Sequence, residues 1–189
     1  MNINGKNFGT FIGKEELENI VGRLAERISK DYSVDTVAGG PSALPVGRSL
    51  VICPVLTGAF IFAADLVRRL TIPCEIRMVR YVSYSGMKST GNVRCELPFP
   101  EEIEGRDVLI VEDVVDSGLS MQKMLEEVWA LKPASVRVCT LLMKPKAFKG
   151  NYSVDYVGKE IGNEFIVGYG MDYDERGRWL PEVMKVELS

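Results

Sequence analysis

The sequence contains no histidine, and this absence excludes several kinds of chemistry. Neither a Ser-His-Asp or Cys-His catalytic arrangement nor a His-ligated zinc site can be built from this chain. Acid–base chemistry must therefore come from carboxylates, lysine, tyrosine or cysteine.

The sequence also has few cysteines, no excess of basic residues and no long apolar run. The four cysteines are widely spaced without a CxxC pair, and several lie in apolar runs, as is typical of reduced cysteines in cytosolic proteins. The 23 Lys and Arg against 26 Asp and Glu give a formal charge of −3, opposite to the usual bias of nucleic-acid-binding proteins. No run approaches the roughly 18 apolar residues of a membrane span, and the first residues lack the apolar core of a signal peptide. These features favour a cytoplasmic protein without membrane or nucleic-acid partners.

The composition that remains is typical of a soluble globular protein. Of 189 residues, 46% are hydrophobic and 26% are charged, which is sufficient for a full hydrophobic core. We therefore expect residues 1–189 to form a single domain.

Apolar runs and helical patterns alternate along the chain. The predicted elements, in order, are a helix at 14–29, a strand at 50–55, a helix ending near 70, strands at 74–82, 92–97 and 107–111, a helix at about 120–131, a strand at 135–142, and short strands near Tyr156 and Ile166. The alternation predicts an α/β fold with a mainly parallel twisted sheet flanked by helices. In such folds, ligands bind at the carboxyl ends of the strands.

The most informative segment follows the strand predicted at 107–111, where residues 112–120 read Glu-Asp-Val-Val-Asp-Ser-Gly-Leu-Ser. A small polar turn that opens a helix presents N–H groups and hydroxyls to an anion, and its glycine lets a phosphate approach closely. Carboxylates beside a phosphate site suit a ligand that also carries sugar hydroxyls or a divalent metal. The simpler interpretation, in which Ser117 only caps the helix, is weakened by three carboxylates on one turn.

Residues 112–120 resemble the phosphoribosyl-pyrophosphate (PRPP) signature of the type I phosphoribosyltransferases, in the form of their hypoxanthine-guanine branch. The resemblance extends from about Leu50 to Pro181 and implies the family's fold, including a small hood formed by the terminal segments. It also implies roles for the whole signature: ribose and metal binding by Glu112 and Asp113, 5′-phosphate binding by Ser117, Gly118, Leu119 and Ser120, and transfer of the purine N7 proton by Asp116.

Other segments match the family's pattern and add candidate residues. Lys144, about thirty residues after the signature, stands where the family binds the purine, although a strand-end lysine usually only extends to solvent. The remaining roles that the resemblance implies are base stacking by Phe165, contact with the base edge by the backbone of Ile166, metal binding by Asp172, and pyrophosphate contacts by Arg178 and by the turn Leu56, Thr57 and Gly58. The sequence departs from the family at Thr57, where relatives often have a basic residue, and at Gly177, where an aromatic residue is common.

Residues 83–91 form a polar, glycine-bearing stretch between two predicted strands. By resemblance this is the lid that closes over PRPP, with Ser83 and Tyr84 at its leading end. An ordinary surface loop is the alternative.

The resemblance implies a purine salvage enzyme that transfers phosphoribose from Mg²⁺-bound PRPP to N9 of hypoxanthine or guanine and releases pyrophosphate. It also implies a homodimer or homotetramer. Transfer to xanthine or a pyrimidine stays open. A PRPP-sensing regulator that binds RNA on the same fold is the alternative from another class, and the acidic pI of about 5.2 argues against it.

Overall fold

Two sheets and their flanking helices make up the part of the chain that the computed structural model describes, residues 1–33, 49–83 and 93–187. The strands, in chain order, are β1 (Asn2–Ile3), β2 (Lys6–Ile12), β3 (Leu50–Leu56), β4 (Cys74–Ile76), β5 (Val79–Ser83), β6 (Val93–Leu97), β7 (Asp107–Val115), β8 (Ser135–Met143), β9 (Tyr156–Glu160), β10 (Ile166–Val167) and β11 (Val183–Val186). The helices are α1 (Lys14–Asp31), α2 (Phe60–Val67) and α3 (Leu119–Ala130), with a 3-10 turn at Glu101–Ile103. None of these helices is both long and apolar enough to traverse a bilayer.

The larger sheet has the order β6-β5-β3-β7-β8-β9, and β4 also pairs with β3. Every pair in it is parallel except β5–β6. This confirms the predicted α/β fold with a mainly parallel sheet. The carboxyl ends of β3, β7, β8 and β9 therefore lie along one edge, which we call the carboxyl edge.

Helices cover both faces of this sheet because its central strands are apolar throughout. On one face, α1 and α2 contribute Ile20, Leu24 and Phe62 to a core that includes Leu109 of β7. On the other face, α3 packs Met124 and its apolar neighbours against the remaining inward side chains of β3 and β7. Burial of each large aliphatic side chain contributes about 1.5–3 kcal/mol, so this packing fixes the carboxyl edge firmly.

The smaller sheet, which we call the hood, has the order β1-β2-β11-β10 and is antiparallel. It combines the first and last strands of the chain, as the resemblance implied. Its first hairpin turns at Asn4 and Gly5, whose φ angles are 47° and 81°. Asn-Gly is a strong hairpin signal, so β1 and β2, which our strand predictions missed, were detectable from the sequence.

The acidic signature differs from the prediction in its local structure. We predicted that the strand ends at residue 111, with the carboxylates on the following turn, but β7 continues to Val115. The reason is continued pairing with β8, in which Glu112 lies opposite Thr140 and Val115 opposite Met143. The residue that precedes α3 is Gly118, and no side chain caps this helix, so the capping interpretation of Ser117 is wrong.

The lid prediction lies mostly beyond the described residues. Ser83 ends β5, whereas Tyr84 and the rest of the loop to residue 91 fall in the range outside the description. The lid assignment therefore stays a prediction.

Candidate active site

The turn after β3 lies directly against the acidic signature. The peptide bond between Leu56 and Thr57 is cis, and Thr57 is exposed. A Cβ at Gly58 would overlap the Asp113 carboxylate, so glycine is required for these two segments to touch. The candidate pyrophosphate turn and the candidate ribose carboxylates therefore form one continuous surface at the carboxyl edge.

Glu112 and Asp113 concentrate negative charge at the end of β7. Desolvation, followed by the neighbouring Asp113 carboxylate, raises the pKa of Glu112 well above its ordinary value. Backbone donors offset part of the charge: the amide of Val114 donates to Asp113 Oδ1 at 2.8 Å, and the amide of Asp113 donates to Glu112 Oε1 at 3.3 Å. Hydroxyl donors or a divalent cation on a ligand would stabilise the ionised pair further.

The candidate metal ligands suit a metal ion that also binds oxygen atoms of the substrate. Within residues 1–33, 49–83 and 93–187, no cluster of three or more His, Cys, Asp or Glu side chains could hold a metal ion by itself. Mg²⁺ usually takes only one or two carboxylates beside phosphate oxygens and water, and the candidate ligands Asp172, Glu112 and Asp113 offer such oxygens.

The polar turn of residues 116–120 encloses a cavity of about 120 Å³. The cavity is lined by Glu112, Val114, Val115, Asp116, Ser117, Gly118, Ser120 and Met121. Leu119 begins α3, so the N–H groups of its first turn face the same end of the helix as this cavity. The turn can therefore receive an anionic group at the helix N-terminus.

Gly118 is held against two aromatic side chains. Its φ angle is +77°, and a Cβ added there would lie 2.6 Å from Phe148 Cε2 and 2.8 Å from the Tyr152 hydroxyl. The Phe148 and Tyr152 rings meet edge to face, with 5.2 Å between their centroids. The Lys149 amide also donates to the Ser117 carbonyl at 2.9 Å, so the segment after β8 supports the polar turn from behind.

Lys144 and Asp116, two candidates from different motifs, form an ion pair. Lys144 Nζ lies 2.8 Å from Asp116 Oδ2, and the Lys144 amide donates to the Val115 carbonyl at 2.9 Å. The Lys144 side chain is only 13% exposed, whereas that of Asp116 is 53% exposed. A strand-end lysine extended to solvent does not fit this burial, and the pair offers a cation and a carboxylate side by side to one ligand.

The loop between β10 and β11 carries Asp172 and Arg178. Arg178 Nη2 lies 2.8 Å from Asp172 Oδ1, and Nη1 donates to the Gly170 carbonyl at 2.9 Å. Gly177 has a φ of +94°, and a Cβ there would overlap Val167. A larger residue at 177 would therefore disturb this backbone.

Tyr169 connects this loop to helix α2, a contact that the sequence did not reveal. Its hydroxyl donates to Asp65 Oδ2 on α2 at 2.5 Å, and desolvation raises the pKa of Tyr169. Next to it, a Cβ at Gly170 would overlap the Gly58 carbonyl oxygen. One partly buried hydrogen bond and one glycine–glycine contact thus bring the loop that carries Asp172 and Arg178 against the turn at Gly58.

Replacement of Tyr169 by phenylalanine is expected to destabilise the protein by about 0.5–1.5 kcal/mol, because Asp65 Oδ2 loses the donation from this hydroxyl. This corresponds to a decrease in Tm of about 1–6 °C, measured by calorimetry. Tyr32→Phe is the matched control, because the buried Tyr32 hydroxyl has no hydrogen-bond partner in the described part of the chain. A Tyr169→Phe variant as stable as Tyr32→Phe would contradict this role.

The candidate base-stacking residue lies on the hood, close to the end of β8. Phe165 is 45% exposed, and the next residue, Ile166, is buried and begins β10. The Ile161 amide donates to the Met143 carbonyl at 2.8 Å. Because four residues span at most about 14 Å, Phe165 is within that reach of the strand end that presents Lys144.

Comparison with known proteins places the chain among transferases. The model of the phosphoribosyl transferase domain family matches residues 13–174. The chain is 41% identical to a hypoxanthine-guanine phosphoribosyltransferase of Mycobacterium tuberculosis, over 87% of this chain and 78% of that protein.

Solved structures that resemble this chain are also phosphoribosyltransferases. A hypoxanthine-guanine phosphoribosyltransferase of Bacillus anthracis has a TM-score of 0.83 at 35% identity, with 95% of this chain and 98% of that chain covered. A hypoxanthine phosphoribosyl transferase of Trypanosoma cruzi, studied for the role of its C-terminal region in oligomeric state and activity, has a TM-score of 0.85 at 32% identity, with 99% and 94% covered.

Proposed function

The chain belongs to the phosphoribosyl transferase domain family, and on this premise we propose that it transfers the 5-phosphoribosyl group of PRPP to N9 of a 6-oxopurine and releases pyrophosphate. The proteins with which it was compared are named as hypoxanthine or hypoxanthine-guanine phosphoribosyltransferases, so it is a transferase of purine salvage. The observation that carries the choice of base is the ion pair between Lys144 and Asp116 at the carboxyl edge.

The base is selected by the donors and acceptors on its edge. A 6-oxopurine presents two neighbouring acceptors, N7 and O6, to which a lysine can donate. Adenine keeps the N7 acceptor but carries an amino donor at C6. The ammonium would then face a donor in place of the O6 acceptor. Lys144 therefore favours hypoxanthine or guanine, with Phe165 stacking on the ring and the backbone of Ile166 meeting its far edge.

Different protein groups along the carboxyl edge bind the ribose, the 5′-phosphate and the pyrophosphate of PRPP. Glu112 and Asp113 accept from the ribose hydroxyls, and the turn of residues 117–120 donates to the 5′-phosphate through N–H groups and hydroxyls. The backbone of residues 56–58 and the Arg178 guanidinium face the pyrophosphate. Thr57 contributes no charge there, so this protein depends on backbone donors at that turn.

The reaction separates charge, and the side chains compensate for it. As in glycoside cleavage, the sugar acquires oxocarbenium character while the leaving group becomes more negative. Arg178 and the backbone donors stabilise the departing pyrophosphate, and Asp116 exchanges the proton at purine N7. Mg²⁺, on which this family generally depends, would be held by Asp172 and the acidic pair and would supply further positive charge.

We further infer that residues 1–189 act as one domain, because Tyr169, Gly170 and Gly58 join the hood to the larger sheet. A homodimer or homotetramer in the cytoplasm is the proposed working form. The T. cruzi relative, whose oligomeric state has been studied, supports assembly, and the four free thiols suit a reducing compartment.

A pyrophosphate-release assay with PRPP and Mg²⁺ tests the proposal, with hypoxanthine, guanine, xanthine, adenine and uracil supplied in turn. Release is expected with hypoxanthine or guanine, and EDTA in place of Mg²⁺ tests the cofactor. Release only with adenine or uracil would contradict the proposed base. A PRPP-sensing regulator would instead bind PRPP and RNA without releasing pyrophosphate with any base.

Replacement of Lys144 by alanine is expected to raise KM for hypoxanthine and guanine by about 5- to 150-fold, with KM for PRPP nearly unchanged. The expected loss, about 1–3 kcal/mol, is the cost of an unpaired acceptor on a buried base. Lys159→Ala is the matched control, because Lys159 lies on the neighbouring strand β9 and pairs with Glu16 of α1 rather than with a candidate site residue. Equal losses for base and PRPP would instead indicate a folding defect.

A further inference from the structure

A lysine of the first hairpin lies over the ring assigned to base stacking. Lys6 Nζ is 4.9 Å from the centroid of the Phe165 ring and 4.7 Å from that of the Tyr173 ring. These two rings meet edge to face with 5.2 Å between their centroids. One ammonium group thus contacts two aromatic rings, both within the roughly 6 Å range of a cation–π interaction.

The position of the Phe165 ring is otherwise well defined. The buried Phe8 ring lies 6.2 Å from it, centroid to centroid, and the Val186 amide donates to the Phe165 carbonyl at 3.0 Å. Even so, 45% of Phe165 remains exposed. Phe165 therefore keeps exposed surface for a planar ligand in addition to its contact with Lys6.

The charge of Lys6 has no other use in the described part of the chain. No carboxylate there lies within ion-pair distance of its ammonium. The side chain is itself exposed and sits on β2, beside the Asn4-Gly5 turn. Among the described residues, the Lys6 ammonium therefore interacts with the rings of Phe165 and Tyr173 rather than with a carboxylate.

We propose that Lys6 is a positioning residue for the purine, acting through Phe165. Because the face of an aromatic ring is negative, a cation over the ring both holds it in place and draws its electron density. The part of the ring that remains open then becomes a better surface for an electron-rich base. The proposal rests on the proposed function, since it takes Phe165 as the residue that stacks on the base.

Lys6→Met tests this because it keeps the apolar stem and removes the charge. We expect KM for hypoxanthine to rise about two- to fivefold, the scale of one exposed cation–π interaction, with kcat and KM for PRPP unchanged. Direct titration is expected to show the same weakening for inosine monophosphate, and Lys6→Arg is expected to retain wild-type values. Lys185→Met is the matched control, because Lys185 Nζ lies 4.8 Å over the Phe11 ring in the same sheet.

A double-mutant cycle with Phe165→Leu separates positioning from general support of the hairpin. Once the ring is absent, Lys6→Met should no longer weaken nucleotide binding. An unchanged KM for hypoxanthine, equal losses for PRPP and purine, or the same loss without the ring would overturn the proposal. If the wild type released no pyrophosphate with any base, the proposed function would fail, and nucleotide titration would still decide the role of Lys6.

Discussion

Replacement of Asp116 by asparagine is expected to lower kcat by about 10²–10⁴-fold, with little change in KM for PRPP. The amide keeps the shape of the side chain but cannot take or return the N7 proton. No histidine exists in the chain to replace it, and Lys144 would lose the carboxylate that lies 2.8 Å away. Steady-state kinetics with hypoxanthine as the varied base would measure the loss.

Asp31→Asn is the matched control for that variant. Asp31 also pairs with a cation, Arg137, at 3.3 Å and is 38% exposed, but it lies at the end of α1. Its replacement should leave kcat unchanged. An unchanged kcat in Asp116→Asn would remove this residue from the mechanism. A rise confined to KM for PRPP would instead show that Asp116 acts in phosphate binding by the polar turn of residues 116–120.

Gly118→Ala is expected to reduce kcat/KM for PRPP by about a hundredfold, the scale of a misplaced binding group. The φ of +77° costs an alanine about 1–2 kcal/mol, and the 2.6 Å approach of its Cβ to Phe148 adds about 1–3 kcal/mol of overpacking. The turn must then shift, and its N–H groups no longer meet the phosphate together. Kinetics at varied PRPP, with Tm measured in parallel, would detect this.

Two further variants separate steric overlap from backbone strain. Gly105→Ala carries a similar φ of +68°, but nothing lies within 4 Å of its Cβ, so it should cost stability and leave KM for PRPP unchanged. Adding Phe148→Leu to Gly118→Ala should recover part of the activity, because the overlapping ring atoms are gone. Wild-type KM for PRPP in Gly118→Ala would show that the turn does not need its present geometry.

The larger sheet and its helices were predictable because their signals are local. Residues 50–55 form a continuous apolar run that is buried throughout, and α1 repeats apolar residues at helical spacing. The end of β7 was not predictable in this way, because Glu112 and Asp113 are poor strand formers and pairing with β8 decides their conformation.

The contacts that assemble the candidate site join residues far apart in sequence. Lys144 and Asp116 are 28 positions apart, and Tyr169 and Asp65 are 104 positions apart. The resemblance to the family identifies the candidates Asp116 and Lys144 but carries no information about such pairs. Lys6 carried no signal either, because an exposed lysine on a strand is common. The role of Tyr84 in a lid stays a prediction.

The order in which the hood forms has a consequence for synthesis of the protein. Thr10 on β2 donates to Glu182, 172 positions later, beside the strand with which β2 pairs. On the ribosome, the larger sheet can assemble first, whereas β2 must wait for the synthesis of β11, with which it pairs. The hood also closes a very long loop, a slow step. Newly made chains should thus form the polar turn of residues 116–120 before the hood positions Phe165. Chains that stall before β11 is made should lack the hood.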